Sequence, residues 1–331
     1  MLRTARPSRG SRPEIDEFGG AIGGAVMRPV FQTLARTAPT DETIVLLGES
    51  GTGKELLARA IHERSPRHTG PFEVFDCSGV SAALIEAELF GYVRGAFTGA
   101  TSNTTGALER AHGGTLFLDG MSGLPLDLQP KLLRALESHE FKPVGSSGWR
   151  RFDARVVAAT SPDLRARVAS GAFREDLFYR IAVVEAHVPP LRERKEDIPV
   201  LTERFLRSSS HDLCLEDLSA ETMGMLLCHN WPGNVRELKN SIIRLTLFPD
   251  RPNEAIDFGA ELGDGVTKRS RDLCSLQLRE ARAIVVEQFE RIYLTTKLRE
   301  HGGRVPRAAE AMGVSRQFLH RLLGEYGIVP S

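Results

Sequence analysis

The chain has 331 residues, of which 41% are hydrophobic and 26% are charged, values typical of a globular protein with two or three compact units. Its 43 basic and 43 acidic residues balance, so any contact with nucleic acid must come from a local basic patch. No apolar run approaches the roughly 18 residues that a membrane helix needs. The basic segment 1–13 also lacks the apolar core of a secretory signal. We therefore predict a cytoplasmic protein with no membrane partner.

The four cysteines are widely separated in the sequence and include no CxxC pair, which indicates reduced thiols. They are Cys77, Cys214, Cys228 and Cys274. The alternative is a zinc site built from His211, Cys214, Cys228 and His229. The direct adjacency of Cys228 and His229 disfavours it, because neighbouring side chains are poorly placed to bind one ion together.

In chain order, residues 1–19 are predicted to be a disordered leader, followed by a glycine-rich turn and a helix. This helix places Val26, Val30, Phe31 and Leu34 on one face. Short apolar runs then predict buried strands at 44–47, 72–75, 115–118, 155–159 and 183–188. Helical stretches such as 129–137 lie between them. This alternation predicts an α/β domain over residues 20–190, with a parallel sheet flanked by helices.

After residue 190 the strand patterns stop. Residues 191–248 are predicted to form a small all-helical domain, and residues 249–275, rich in Pro, Gly, Asp and Asn, a linker. Residues 276–331 contain three helical stretches interrupted by glycines, which predict a C-terminal helical domain.

A glycine-rich segment directly after the first buried strand fits the pattern GxxxxGK and precedes a predicted helix. Glycines let backbone N–H groups surround phosphates, and the start of the following helix adds positive potential. We assign phosphate binding to Gly48, Glu49, Ser50, Gly51, Thr52, Gly53, Lys54 and Glu55. Lys54 would reach the terminal phosphates, but Glu55 stands where Ser or Thr usually binds Mg²⁺. A glycine-rich turn without a ligand is the alternative.

The apolar strand over 115–118 is followed directly by Asp119. In P-loop proteins, a carboxylate at this place lies beside the phosphates and holds Mg²⁺, directly or through water. Many strands end in Asp, so this feature alone is weak. Together with the phosphate loop it predicts a metal-assisted nucleotide site at Asp119.

Between these two motifs lies a loop of small residues with one aromatic side chain at its tip. An exposed Phe97 beside Thr98 suits a protein contact better than a core position. An ordinary surface turn is the alternative. The loop consists of Gly95, Ala96, Phe97, Thr98, Gly99 and Ala100.

With the phosphate loop and Asp119, this loop resembles the sigma-54-dependent transcription activators of bacteria, and the resemblance extends over about residues 20–328. It implies an AAA+ domain that binds ATP and Mg²⁺, a helical lid, and a Fis-type helix-turn-helix domain that binds DNA upstream of a promoter. It also implies a homo-oligomer, a hexameric ring when active. In the family, the loop over 95–100 contacts the sigma-54 RNA polymerase holoenzyme.

The resemblance also implies roles for single charged residues. Arg174 and Arg180 match the family's arginine fingers, which neutralise charge on the phosphoryl group bound by a neighbouring subunit. Arg236 matches the lid sensor that touches nucleotide, on a helix that the Pro-Gly turn and Asn234 would start. From the residues alone, a salt-bridged helix face and a capped surface helix remain alternatives.

The C-terminal segment resembles a Fis-type helix-turn-helix. Ala308, Ala309 and Met312 would pack the first helix against the second, and Gly313 allows the tight turn between them. Phe318, Leu319 and Leu322 would face inward. Ser315 is predicted to cap the second helix. The residues predicted to form the DNA-binding surface are Arg304, Ser315, Arg316, Gln317, His320 and Arg321. A three-helix bundle used only for dimerisation is the alternative.

Three positions depart from the family pattern, all of them around the hydrolytic site. Gly120 stands where the family has a Glu that positions the attacking water, and a glycine cannot do this. Asp76 replaces an Asn that holds this Glu, and Ser161 replaces the sensor Asn beside Thr160. Either the site binds ATP with weak or absent hydrolysis, or Asp76 supplies the missing carboxylate.

Three functions follow from these patterns. The first is an ATP-driven activator that remodels sigma-54 holoenzyme. The second is a hydrolysis-impaired, ATP-responsive DNA-binding regulator. The third, a P-loop kinase of small molecules, leaves the loop over 95–100 and the C-terminal domain unexplained.

Many relatives carry a sensory domain before the AAA+ domain, whereas about twenty residues precede it here. We expect control by another protein, by oligomerisation, or constitutive activity. A truncated start is the alternative.

Overall fold

The computed structural model describes residues 15–78, 81–161, 163–209 and 214–248, together with a smaller set of C-terminal positions. Those positions are 256, 294, 298, 301, 305–312, 316, 319 and 323. The chain divides into two compact units, residues 1–256 and 257–331, which are described separately.

The described part of the first unit contains nine strands. They are β1 (Asp16–Phe18), β2 (Ala21–Gly23), β3 (Ile44–Leu47), β4 (Phe72–Asp76), β5 (Thr115–Asp119), β6 (Glu140–Phe141), β7 (Arg150–Arg151), β8 (Arg155–Thr160) and β9 (Val184–His187). Five of them form a parallel sheet in the order β4-β5-β8-β3-β9. The short pairs β1-β2 and β6-β7 are antiparallel. The five predicted buried strands are confirmed, each end within one residue of its predicted position.

Ten α-helices accompany these strands in the described part of the first unit. They are α1 (Arg28–Thr37), α2 (Lys54–Glu63), α3 (Ala82–Phe90), α4 (Ala107–Arg110), α5 (Gln129–Ser138), α6 (Leu164–Ala169), α7 (Glu175–Ile181), α8 (Ile198–Ser209), α9 (Ala220–Cys228) and α10 (Asn234–Leu247). Short 3-10 turns occur at Met121–Gly123, Leu191–Glu193, Lys195–Asp197 and Leu215–Asp217.

The parallel sheet is covered on both faces, as the apolar runs predict. Every residue of β3 and β8 is buried. Successive strand residues point to opposite faces, so Phe117 packs in one apolar cluster with Leu57 and Ile61, while Leu118 packs in another with Leu132. Burying each such side chain contributes about 1.5–3 kcal/mol, which fixes the sheet between two helical layers.

The start of the domain differs from the sequence prediction. Strand β1 begins at Asp16, inside the segment 1–19 assigned to a leader, because Phe18 is buried and stacks on Phe31 with ring centroids 6.1 Å apart. The apolar spacing predicts Val26 on the first helix, but α1 begins at Arg28 and Val26 lies exposed before it.

Residues 191–247 are helical where described, as predicted, and pack through α8 and α10. Trp231 is fully buried in the turn before α10 and donates its Nε1–H to the carbonyl of Leu226 at 2.9 Å. This anchors the connection that carries the lid motif. Within the described part of the chain, no helix is long and apolar enough to cross a membrane.

In the second unit, helix α11 (Val305–Ala311) belongs to an apolar cluster. The buried members are Leu294, Leu298, Val305, Ala308, Ala309, Leu319 and Leu323, with Met312 packed against them. The predicted inward positions of Ala308, Ala309, Met312 and Leu319 are therefore confirmed. Phe318 and Leu322, also predicted to face inward, and the turn residue Gly313 lie outside the described residues.

Candidate nucleotide-binding site

The phosphate loop connects β3 to α2 at the carboxyl edge of the sheet, where parallel sheets place ligands. Gly51 and Gly53 have φ angles of +78° and +102°, a left-handed conformation that favours glycine. Lys54 starts α2, and its Nζ donates to the carbonyls of Gly48 at 2.7 Å and Glu49 at 2.8 Å. The Lys54 side chain therefore lies against the phosphate loop.

A cleft of about 770 Å³ opens over this loop. The structure brings most of the predicted nucleotide residues together in its lining: Gly48, Ser50, Gly51, Thr52, Gly53, Lys54, Glu55, Asp76, Asp119, Thr160 and Arg236. Its other walls include Ile22 and Met27 before α1 and Leu201 and Phe205 of α8. A cleft with apolar walls and a phosphate loop suits a ligand with a flat apolar base and a charged tail.

Burial lowers the pKa of the Lys54 ammonium, while the nearby Asp119 carboxylate opposes this shift. The partly buried ammonium loses hydration, so it gains from an anionic partner. Phosphate oxygens are the partner that the surrounding N–H groups also fit.

The two strand-end carboxylates lie side by side, because Asp76 and Asp119 are register partners on β4 and β5. Asp119 accepts a hydrogen bond at Oδ1 from Gly120 N at 2.8 Å. Among the described residues, no hydrogen bond uses Asp119 Oδ2. A carboxylate with a free oxygen in the cleft fits a hard cation such as Mg²⁺.

Gly120 has a φ of +65°, and a Cβ built there would lie 3.5 Å from Asp76 Oδ1 and from Ser78 Oγ. There is space for a side chain, but the left-handed backbone disfavours one. The position therefore contributes backbone groups to the cleft in place of a side chain.

At the end of β8, Thr160 is 1% exposed, and its Oγ1 has no hydrogen-bond partner within the described structure. Ser161 donates to the carboxylate of Asp163 and lies 3.5 Å from Ser122 Oγ. A buried hydroxyl at the cleft without a partner is costly, so the Thr160 position favours a polar ligand.

The lid holds four consecutive loop residues. Glu49 accepts from Arg192 and Asn234, and Ser50 accepts from Arg236 Nη1 at 3.0 Å. The Gly51 carbonyl accepts from Arg236 N at 3.2 Å. The buried Arg194 donates to the Thr52 carbonyl at 3.0 Å. Glu49 is thus turned toward the lid and does not line the cleft.

The prediction that Asn234 starts the helix carrying Arg236 is confirmed. Asn234 is fully buried as the first residue of α10, and the preceding Gly233 is the N-cap. Its side chain accepts from Leu191 N at 2.8 Å and donates to the Ser50 carbonyl at 3.0 Å. Asn234 therefore joins the lid to the phosphate loop.

The predicted arginine fingers lie outside this chain's own cleft. Arg174, exposed before α7, pairs with Asp176 at 2.7 Å, and this ion pair raises the pKa of the guanidinium. Arg180, near the end of α7, donates to the Leu136 carbonyl at 2.7 Å. Neither residue lines the cleft over the phosphate loop of the same chain.

The loop over 95–100 is a closed turn between α3 and α4. Gly95 N donates to the Ala100 carbonyl at 2.9 Å, and Ala100 is buried. Phe97 is 47% exposed and touches Tyr92 with ring centroids 5.0 Å apart. The loop thus presents an aromatic tip on a short, hydrogen-bonded base.

Of the predicted DNA-contacting residues, Arg316 is described and is exposed. Arg304, Ser315, Gln317, His320 and Arg321 lie outside the described residues.

No group of three or more metal-binding side chains gathers within the described residues. Cys77 is buried, and this burial raises the pKa of its thiol. His211 and Cys274 lie outside the described residues.

Arg192, Arg194 and Ser78 are also parts of the site, and the sequence alone does not indicate them. The two arginines stand in a charged run that is typical of a solvated surface. Ser78 lies two residues past a strand end, a position whose contacts depend on how the neighbouring strand folds beside it.

The glycine loop, the strand-end Asp119 and the lid residue Arg236 meet at one cleft, and they define a P-loop protein of the AAA+ class. Residues 22–187 match the family described as Sigma-54 interaction domain. Residues 192–267 match the AAA+ ATPase lid domain, and residues 285–326 match the Bacterial regulatory protein, Fis family.

The chain is 46% identical over 254 residues to the DNA-binding transcriptional regulator NtrC of Azospirillum brasilense, covering 76% of this chain and 53% of the relative. Identity to NtrC of Klebsiella pneumoniae is 39% over 340 residues, covering 96% and 71%. The crystal structure of NtrX from Brucella abortus in complex with ATP is 36% identical, covers 94% of this chain and 70% of that chain, and has a TM-score of 0.63.

The chain therefore belongs to the family of sigma-54-dependent transcription activators, and the predicted resemblance is confirmed. It spans about half the length of the first curated relatives that it matches.

Proposed function

We propose that this chain is an ATP-dependent transcription activator that remodels sigma-54 RNA polymerase holoenzyme. ATP binds in the cleft, the Fis-type domain binds DNA upstream of a promoter, and the loop over 95–100 contacts the sigma factor. The observation that carries the proposal is one cleft lined by the phosphate loop, Asp119 and Arg236, in a chain that also presents the exposed Phe97. The ATP complex of the related NtrX supports the nucleotide.

Within the cleft, Lys54 and the loop N–H groups bind the phosphates, and Arg236 contacts the nucleotide from the lid. Asp119 is the residue that would hold Mg²⁺, which when bound neutralises phosphate charge. Glu55 lines the cleft from the first turn of α2. Glu49 acts by fixing the loop to the lid.

A homo-oligomeric ring, a hexamer when active, completes the site. The exposed Arg174 and the partly buried Arg180 stand on a surface away from their own cleft, so they serve the nucleotide of a neighbouring copy. Residues 20–190, 191–248 and 276–331 act as motor domain, lid and DNA-binding domain, with residues 249–275 as the linker.

In the C-terminal domain, we assign DNA contacts to Arg304, Arg316, Gln317, His320 and Arg321, with Ser315 at the start of the recognition helix. Arginines contact phosphates or guanine edges, and Gln317 suits adenine. Substituting Arg316 with Ala is expected to weaken operator binding and to reduce its salt dependence.

The second candidate is a regulator that binds ATP but does not turn it over, favoured by the left-handed Gly120 where a side chain is missing. Steady-state ATPase assays at ring-forming concentrations separate the two, comparing wild type with Lys54→Ala and Gly120→Glu. Turnover that Lys54→Ala abolishes supports the motor. Nucleotide binding without turnover, restored by Gly120→Glu, supports the second candidate. Glu at this φ costs about 1–2 kcal/mol, so stability is measured in parallel.

The sigma contact has its own test. Phe97→Ala is expected to retain ATPase activity and lose ATP-dependent open-complex formation by sigma-54 holoenzyme on a supercoiled promoter, because only the exposed tip is removed. Phe248→Ala removes another exposed aromatic side chain and serves as the control. Equal activation by all three proteins would exclude the loop as the contact.

A further inference from the structure

We propose that Asp76 is the carboxylate that orients the attacking water for ATP hydrolysis, and that Ser78 is the residue that positions it. This inference rests on the proposed ATPase function. In the family, a Glu at the position of Gly120 positions the attacking water. The inference gives this role to Asp76 on strand β4.

Three carboxylates line the described cleft: Glu55, Asp76 and Asp119. Glu55 points along α2 and faces Arg59 at 3.4 Å. Asp119 lies close enough to Lys54 to oppose the burial effect on its pKa, which suits the residue that would bind Mg²⁺ beside the phosphates. The remaining carboxylate, Asp76, lies at the end of the neighbouring strand β4 and is not assigned to phosphate or Mg²⁺ binding.

The position of Asp76 matches the task. A Cβ at Gly120 would lie 3.5 Å from Asp76 Oδ1, so the Asp76 carboxylate already borders the space that a side chain at Gly120 would enter. Asp76 and Asp119 are register partners, and Cys77 N donates to the Asp119 carbonyl at 2.8 Å. The two strand ends are therefore fixed to each other.

Ser78 holds one oxygen of Asp76. Its backbone N–H and its hydroxyl both donate to Asp76 Oδ1, at 2.8 and 2.5 Å. Among the described residues, no hydrogen bond uses Oδ2. One carboxylate oxygen is anchored and the other remains available as an acceptor for water.

Ser78 is itself held by the turn that begins at Gly120. A Cβ at Gly123 would lie 3.1 Å from Ser78 Cα and Cβ, so the turn packs directly on this serine. Gly123 N donates to the Gly120 carbonyl at 2.7 Å and closes the turn. The absence of a side chain at Gly123 thus allows the close approach that orients Ser78, and Ser78 orients Asp76.

In the hydrolytic step, the water oxygen attacks the γ-phosphorus of ATP while Asp76 Oδ2 accepts a proton from that water. The bond between the γ-phosphorus and the bridging oxygen breaks, and this oxygen leaves with ADP. The products are ADP and inorganic phosphate, and Asp76 returns its proton to solvent.

The test uses the full chain with steady-state ATPase kinetics and binding of a fluorescent ATP analogue. Asp76→Asn keeps the shape and removes the base, so kcat is expected to fall by about 10²-fold or more with unchanged nucleotide affinity. Ser78→Ala removes one charged hydrogen bond and is expected to lower kcat about tenfold, whereas Ser78→Thr retains the hydroxyl and the rate. Asp127→Asn, an exposed carboxylate outside the cleft, is the control.

Wild-type turnover that survives Asp76→Asn would overturn the inference and leave the proposed motor intact. A wild type that binds the analogue but does not hydrolyse ATP would overturn both the inference and the motor. A normal kcat in Ser78→Ala, with a slow Asp76→Asn, would remove Ser78 from the assignment. Thermal unfolding of each variant distinguishes these results from misfolding.

Discussion

Glu49 of the phosphate loop and Arg192, at the start of the lid, form a bidentate ion pair, with Oε1–Nη2 at 2.6 Å and Oε2–Nη1 at 2.8 Å. Asn234 of α10 adds a hydrogen bond to the same carboxylate at 3.1 Å. A planar guanidinium matches a carboxylate in this geometry and fixes their relative orientation. These contacts connect the phosphate loop directly to the lid.

We predict that Glu49→Gln loosens this connection, because the amide cannot accept both guanidinium hydrogen bonds. The side chains of Arg192 and Glu49 are 40% and 33% exposed, so solvent screening limits the expected loss of unfolding free energy to about 1 kcal/mol. Hydrogen exchange in α10 should rise more than global stability falls. Glu203→Gln, which breaks the exposed pair with Arg207 within α8, is the control. Equal exchange in the two variants would contradict a connecting role.

The same pair predicts a pH dependence. Hydrogen bonds from Arg192 and Asn234 lower the pKa of Glu49 from its ordinary 4.5 to about 2. Because the folded-state pKa is the lower one, the stabilisation is complete above pH 4.5 and is lost as pH falls toward 2. Urea unfolding of wild type and Glu49→Gln across this range should converge at the acid end. A difference that persists at the lowest pH would show that the carboxylate charge is not its source.

The contact between the phosphate loop and the lid leaves no room for a side chain at Gly51. A Cβ there would lie 2.3 Å from the Gly233 carbonyl oxygen, and the φ of +78° adds strain. Gly51→Ala should displace the lid and weaken ATP binding at least tenfold, or about 1.4 kcal/mol. Gly171→Ala has a similar φ of +74° with no atom within 4 Å, so it isolates the backbone cost. If both variants bind ATP equally well, the lid does not require this close approach.

Substitution of Thr160 is expected to affect protein stability and ATP turnover differently. Its buried hydroxyl has no partner in the described structure, so Thr160→Val is expected to leave stability unchanged or raise it by about 1 kcal/mol. If the hydroxyl meets bound nucleotide, ATP turnover should fall about tenfold. Thr202→Val removes another unpartnered buried hydroxyl, outside the cleft lining, and should leave turnover unchanged. Thermal unfolding and ATPase rates of the two variants provide the comparison, and equal rates would exclude Thr160 as a nucleotide contact.

The sheet and the phosphate loop could be predicted from the amino-acid sequence, because both depend on local patterns. Continuous apolar runs such as 115–118 require burial on both faces, and glycines before Lys54 allow a phosphate loop wherever a strand precedes and a helix follows. The exposed tip at Phe97 also followed from its small neighbours.

The pairing of distant polar groups could not be predicted from the sequence, because it depends on how the chain packs. Arg192 and Glu49 are 143 positions apart, and their pairing depends on how the lid folds over β3. The sequence indicates Asp76 as a replacement carboxylate, but its position beside Gly120 depends on β4 lying in register beside β5. Hydrogen bonds act over about 3 Å and carry no periodic signature along the chain, so their partners are set by packing.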